Sequence, residues 1–150
     1  MNVPSTGVMK VYDVMSTHVV VAEVSEPLTE AVNRMLERDV GCVVVTDKDA
    51  IAGIITKGDV LKKAFMKGLE AKKVTVKRVM TTPVVAISSD ASLEEASKLM
   101  IERRVSKLPV VKDKKLVGIV TSTDVIRAEP MQVGYLQELV RARFVPHDLR

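Results

Sequence analysis

Gly53-Ile54-Ile55-Thr56-Lys57-Gly58-Asp59 returns further along the chain as Gly118-Ile119-Val120-Thr121-Ser122-Thr123-Asp124. The match extends well beyond these stretches: residues 11–61 fall on residues 76–126 without a gap. Val14-Met15 falls on Val79-Met80, Thr17 on Thr82, Val19-Val20 on Val84-Val85, and Glu37-Arg38 on Glu102-Arg103. Two long copies indicate a duplicated globular unit, because solenoid repeats are shorter and more numerous.

Periodicity predicts the elements of each copy. Val19–Val21 and residues 84–86 are short apolar runs rich in β-branched residues, as buried strands are. Leu28, Ala31, Val32, Met35 and Leu36 follow at helical spacing, and Leu93, Ala96, Met100 and Ile101 keep that stripe in the second copy. Ser92 with Glu95 has the pattern of a capping box, and Pro27 suits a first helical turn. Cys42–Thr46 and Leu108–Val111 read as strands. The polar turns Asp47-Lys48-Asp49 and Lys112-Asp113-Lys114-Lys115 should return the chain through Ile51–Ile55 and Leu116–Val120 as hairpins. A second helix starts after Thr56 and after Thr121. The expected fold is α+β, two tandem βαββα units. A unit of about sixty residues buries only about 60% of its unfolded surface, so the copies are expected to pack together. The boundaries read as repeat 1 over 8–68, a linker over 69–75, repeat 2 over 76–127 and a tail over 128–150. Leu136, Leu139, Val140 and Phe144 share one face of a predicted helix over 131–144, with Pro146 beyond its end.

Composition limits what the chain can be. Its 150 residues are 47% hydrophobic and 3% aromatic, so a core of Val, Ile, Leu, Met and Ala is expected. No apolar run reaches the length of a membrane span. The N-terminus shows no secretory signal, and the single cysteine, Cys42, fits a reducing cytosol, so a cytoplasmic protein is expected. The net charge of +4 is uneven: Lys62, Lys63, Lys67, Lys72, Lys73, Lys77 and Arg78 stand against Glu70 alone. Such a run is a solvated surface or an attractor of phosphate backbones, yet only Phe65 lies nearby to stack on a base.

Catalytic constellations are scarce. His18 and His147 are the only histidines. No paired-cysteine metal spacing, Walker loop or glycine-rich dinucleotide turn occurs, and no nucleophile stands beside an evident base. Neither catalytic residues nor metal ligands are assigned, and no enzyme activity is expected. Cys42 reads as a small core residue, and Met35 and Met100 as parts of the helix stripes.

The repeated Gly-x-x-Thr-x-x-Asp endings carry two readings. Thr at a helix start with an acid three residues on is a capping box. That box prefers the longer Glu or Gln, and both copies keep Asp. Free N–H groups and the helix dipole at such a start also favour a phosphate, and an ionised Asp can accept from both hydroxyls of a ribose. The combination describes a nucleotide site.

These endings, the duplicated Val-Met-(Ser/Thr)-Thr start and the segment from Arg103 to Val111 together resemble tandem cystathionine-β-synthase (CBS) domains, also called a Bateman module. The resemblance covers about residues 8–127. It implies two repeats packed through their sheets as a pseudo-twofold pair, with two clefts for adenosine-containing ligands such as AMP, ADP, ATP or S-adenosylmethionine, and a homodimer formed through helices. It implies that Asp124 and Thr121 hold one ligand's ribose and phosphate, with the base near Thr17, His18, Val20, Val40 and Gly41. The other cleft would use Asp59 and Thr56, with Thr82, Pro83, Val85, Val105 and Ser106 around the base. Lys107 lies where relatives place a phosphate-contacting cation, and its counterpart is Cys42. Thr123 adds a hydroxyl where the first copy has Gly58. Unequal sites are therefore expected, with the Asp124 cleft the tighter. His18 is a base-pocket rim or a surface histidine, and its counterpart is Pro83.

Three readings of function stand at this point. The first is a sensor that takes an adenine nucleotide or S-adenosylmethionine as regulatory ligand, requires no cofactor and signals to an effector protein the sequence does not name. The second is an interaction scaffold with vestigial clefts. The third is a nucleic-acid binder using the basic run, which has little beyond charge to support it.

Overall fold

The computed structural model describes residues 8–128, together with 137, 138 and 141. The helix expected over 131–144 therefore lies outside the described residues but for those three positions, as does His147. The chain forms two compact units. Unit 1 is Met1–His18 with Val85–Arg150, and unit 2 is Val19–Val84. The compact units are thus not the sequence copies: the opening segment of each copy packs into the unit built mostly from the other.

Unit 2 contains β1 (Val21–Glu23), α2 (Leu28–Arg38), β2 (Cys42–Asp47), β3 (Ala50–Thr56), α3 (Lys57–Asp59) and α4 (Val76–Val79). A π-helical stretch, Val60–Phe65, continues α3. Unit 1 contains α1 (Val11–Val14), β4 (Ile87–Ser88), α5 (Leu93–Arg103), β5 (Lys107–Lys112), β6 (Lys115–Thr121) and α6 (Ser122–Ala128). Each sheet has three strands, in the order β1-β2-β3 or β4-β5-β6. The first pair is parallel and the second antiparallel. The fold is α+β, as expected.

The middle strand of unit 2 is buried from Cys42 to Thr46, because a strand covered on both faces must be continuously apolar. Both hairpins turn through two left-handed residues, Lys48 and Asp49 in one, Asp113 and Lys114 in the other. That geometry matches the twist of the strands it joins. Both antiparallel pairs carry a register shift at the same repeat position, between Val45 and Thr46 and between Val110 and Val111. A bulge kept in both copies belongs to the design of the sheet.

The first strands lie further along the chain than the apolar runs suggested. Val21 is 41% exposed, and pairing runs from Val21 opposite Val44 to Glu23 opposite Thr46. A carboxylate sits in this strand because Glu23 accepts a hydrogen bond from the Thr46 hydroxyl at 2.8 Å. In unit 1 pairing starts only at Ile87. The reason is Pro109. Its counterpart Val44 donates its backbone N–H to Val20 O at 3.0 Å, and proline has no N–H to donate.

The helices follow their stripes with one exception. Leu28, Ala31 and Met35 are buried, as are Leu93, Ala96 and Met100. Leu36, expected in the stripe, is 71% exposed, as its position falls at the solvent edge of α2. Pro27 is the N-cap of α2 rather than a residue of its first turn. Ser92 and Glu95 close the predicted box in both directions, at 3.1 and 2.8 Å.

Each core includes its borrowed segment. Val11 is fully buried with Leu93, Met100, Leu108 and Val120 in unit 1, and Val76 and Val79 with Leu28, Val43 and Ile55 in unit 2. Residues 69–75 also contribute to unit 2, since Val74 is buried and its carbonyl accepts from Leu28 N at 2.9 Å. Among the described residues no helix is long and apolar enough to cross a membrane.

Candidate functional site

Both copies of the repeated motif lie where a strand runs into a helix, Thr56 ending β3 and Thr121 ending β6. The glycine that opens each motif is explained by packing. The borrowed segment pairs with the strand beside it: Ser16 with Ile119, and Thr81 with Ile54. A Cβ added at Gly118 would lie 2.6 Å from Met15 Sδ and 2.8 Å from the Ser16 carbonyl oxygen. At Gly53 it would lie 2.6 Å from Met80 Sδ and 3.0 Å from the Thr81 oxygen. Neither glycine has a left-handed φ, so close approach and not conformational freedom excludes a side chain here. The Val-Met start of each copy is the segment that presses on this glycine. Recurrence alone does not disclose that the Val-Met start and the motif glycine of each unit touch. A glycine inside a strand pattern was the available signal.

The Thr-x-x-Asp residues form a reciprocal capping box in both units. Thr121 N donates to Asp124 Oδ2 at 2.9 Å, and Asp124 N donates to Thr121 Oγ1 at 3.2 Å. Thr56 N donates to Asp59 Oδ2 at 3.0 Å, and Asp59 N to Thr56 Oγ1 at 3.1 Å. The capping-box reading thus holds in both copies, with aspartate in place of the preferred Glu or Gln. Here the strand delivers the threonine backbone close enough for the shorter side chain to reach it.

The surroundings of the two aspartates differ. Asp59 Oδ1 accepts from Thr81 Oγ1 at 2.8 Å and pairs with Lys63 Nζ at 3.1 Å. Burial alone would push the Asp59 carboxyl up. The bonds from Thr56, Thr81 and Lys63, with the charge of Lys63, outweigh it and hold the carboxyl below the usual aspartate range. Asp124 has no such neighbours: the repeat counterparts of Thr81 and Lys63 are Ser16 and Ala128. Among the described residues no hydrogen bond to Asp124 Oδ1 is present.

Unit 1 holds Thr17, His18, Val85, Val105, Ser106, Lys107, Thr121, Thr123 and Asp124, and unit 2 holds Val20, Val40, Gly41, Thr56, Asp59, Thr82 and Pro83. Lys107 is the cross-strand partner of Thr121, where Cys42 is the partner of Thr56. The Ser106 carbonyl accepts from Ser122 N at 2.9 Å, and the Gly41 carbonyl from Lys57 N at 3.1 Å. These bonds set Ser106 beside the Asp124 helix start and Gly41 beside that of Asp59. The family pattern grouped each with the opposite aspartate. Thr17 and His18 are exposed, and His18 N donates to Ser16 Oγ at 3.3 Å. Cys42 is buried and in no disulfide.

Two grooves of unit 2 lie among its helices. One is lined by Val32, Met35, Leu36, Lys57, Val60 and Leu61. Leu36, Leu61, Phe65 and Met66 leave a large apolar surface exposed beside it. Within the basic run, Lys63 turns inward to Asp59, and Lys73 pairs with Glu70 at 3.2 Å.

Comparison with known proteins agrees with this geometry. The family model described as CBS domain matches residues 11–65 and 76–130. An uncharacterised protein of Methanopyrus kandleri is 34% identical over 132 residues, spanning 87% of this chain and 67% of its own length. The crystal structure of Hypoxic Response Protein I, described with two coordinated zinc ions, has a TM-score of 0.74 at 30% identity, covering 79% of this chain and 98% of that one. The Mycobacterium tuberculosis protein called hypoxic response protein 1 is 31% identical over 119 residues, 79% of this chain and 83% of its own. A CBS domain pair solved with 5-methylthioadenosine and S-adenosyl-L-methionine has a TM-score of 0.73 at 27% identity, covering 83% of this chain and 98% of that one. The chain belongs to the CBS domain family, and carries two CBS domains in tandem.

Proposed function

We propose that this chain is a cytoplasmic regulatory module, without catalysis of its own, that senses an adenosine-containing ligand: AMP, ADP, ATP or S-adenosylmethionine. The ribose hydroxyls are received by Asp124. Thr121, Thr123 and Lys107 attend the phosphate of a nucleotide or the methionyl carboxylate of S-adenosylmethionine, and Thr17 and His18 lie towards the base. The observation that carries the reading is the Asp124 carboxylate, half-buried, with one oxygen in the capping box and no hydrogen bond to the other among the described residues. An ionised carboxylate with acceptor capacity left over suits a vicinal diol. The structural relative solved with two adenosyl compounds supports the ligand class. Bound ligand shifts the population of conformations that an effector protein reads.

Leu36, Leu61, Phe65 and Met66 form the face we assign to a second copy of the chain, since apolar patches of this kind mark interaction sites. Sedimentation at the mass of a single chain would remove that assignment.

Calorimetry of the intact protein with AMP, ATP and S-adenosylmethionine tests the ligand reading. Asp124→Ala is expected to cost about 1.5–3 kcal/mol of affinity, as for hydrogen bonds to a charged group. Unchanged affinity in a folded variant would reduce the motif to a helix cap.

A further inference from the structure

An ionised carboxylate offers about four lone-pair positions on its two oxygens. Asp59 fills all of them from within unit 2. Its Oδ2 accepts from Thr56 N at 3.0 Å and from Thr56 Oγ1 at 3.1 Å. Its Oδ1 accepts from Thr81 Oγ1 at 2.8 Å and from Lys63 Nζ at 3.1 Å. Lys63 Nζ also donates to Thr81 Oγ1 at 2.8 Å, so the three side chains close into a triangle.

Thr81 is not free to swing away. Its N–H donates to Ile54 O at 2.7 Å, and its carbonyl accepts from Ile54 N at 3.1 Å. The backbone that presents the hydroxyl to Asp59 is thus held by strand pairing within unit 2. Lys63 reaches from the π-helical stretch, with its side chain 38% exposed and that of Asp59 only 13% exposed. A ribose hydroxyl entering here would replace the Lys63 ion pair with a bond in which only the acceptor is charged. In unit 1 the equivalent places are held by Ser16, whose Oγ accepts from His18 N, and by Ala128, which has no donor in its side chain.

We propose that Lys63 and Thr81 form a clasp that closes Asp59 to ligand hydroxyls, leaving Asp124 as the ligand-binding aspartate of the chain. The proposal rests on the ribose role assigned to Asp124 and goes beyond it: the unequal sites become one working site and one structural clasp. Lys63 is then the residue that sets how many ligands the chain holds.

Titration calorimetry of the full chain with AMP reads the clasp directly. The wild type should bind about one AMP per chain, and removing both clasp donors in Lys63→Met/Thr81→Val should raise this towards about two, since Asp59 regains free lone pairs. Asp124→Ala in the clasped chain should abolish measurable binding, and in the unclasped chain should leave the new site. Thermal unfolding checks that each variant folds. If the double change unfolds unit 2, Lys63→Met alone, which keeps the aliphatic stem, is read against the same outcomes. Two AMP bound by the wild type, one of them lost in Asp59→Ala, would overturn the clasp and leave the ribose reading standing. A folded, unclasped chain that gains no second site would do the same. No binding by the wild type at millimolar AMP removes the ribose reading, and the clasp with it.

Discussion

Units 1 and 2 share a strand order, a bulge, a hairpin turn and a capping box, yet surround their aspartates differently. What the copies keep is what the backbone requires: glycine where a neighbouring segment presses in, threonine and aspartate where a strand becomes a helix. What they have changed is the chemistry within reach of the carboxylate. Thr81 stands against Ser16, Lys63 against Ala128, Cys42 against Lys107 and Gly58 against Thr123. Identity between copies therefore marks structural need, and divergence falls on the groups around each motif. Thr-x-x-Asp alone, being a complete cap in both units, does not distinguish them.

The shared part of the comparison breaks most sharply at the glycines. Gly118→Ala and Gly53→Ala should each destabilise by about 1–3 kcal/mol, the usual range for forcing extra volume into a packed site. Gly118→Ala should be the worse. Its new Cβ would meet the Ser16 carbonyl at 2.8 Å, against 3.0 Å to Thr81 at Gly53, and a backbone oxygen yields less readily than a methionine side chain. Urea unfolding of both variants measures this. Wild-type midpoints for both would show that the glycines are not spacers.

The same glycines show what the sequence could and could not disclose. The duplication, the strand and helix order and the Ser92–Glu95 box were legible because they depend on local patterns. The exchange of opening segments was not, since α1 and α4 are each only four residues long and carry no period that names their partner. The late start of β4 turns on the absent N–H of Pro109, one missing bond inside an otherwise persuasive apolar run. At the site, the aspartates and threonines could be named from the repeat. Lys63 could not, because it lies in a basic run that reads as solvated surface, and Thr81 is distant in sequence from the carboxylate it binds.

The clasp also predicts a difference in acid response. Because folding lowers the Asp59 pKa, its ionised form stabilises unit 2 above the ordinary aspartate value, near ~3.9. That contribution is lost as pH falls through the lower, folded value. On acidification below about pH 4, the protection of β3 amides relative to intrinsic exchange at the same pH should therefore fall in the wild type. Asp59→Asn should flatten this dependence in β3 and leave β6 unchanged. Identical profiles for wild type and Asp59→Asn in β3 would mean that Lys63 and Thr81 contribute no net stabilisation to the ionised form.

The smallest expected effect lies at Ser89, where the units differ inside a core. Its backbone is fixed, with N donating to Val111 O at 3.0 Å and O accepting from Tyr12 N at 3.1 Å. Its hydroxyl is buried with no hydrogen-bond partner among the described residues, and the repeat counterpart is Val24. Burying a hydroxyl unpaired is unfavourable, so Ser89→Ala should stabilise the protein by on the order of 1 kcal/mol. Ser89→Val then asks whether the unit 1 core has room for the side chain that unit 2 carries at this position. A gain from alanine that valine reverses would mean that the hydroxyl is tolerated for its size. A loss from both would mean that the hydroxyl is satisfied in solution, by a water reaching Oγ, and that unit 1 differs from unit 2 here by a bound solvent molecule and not by an unsatisfied group.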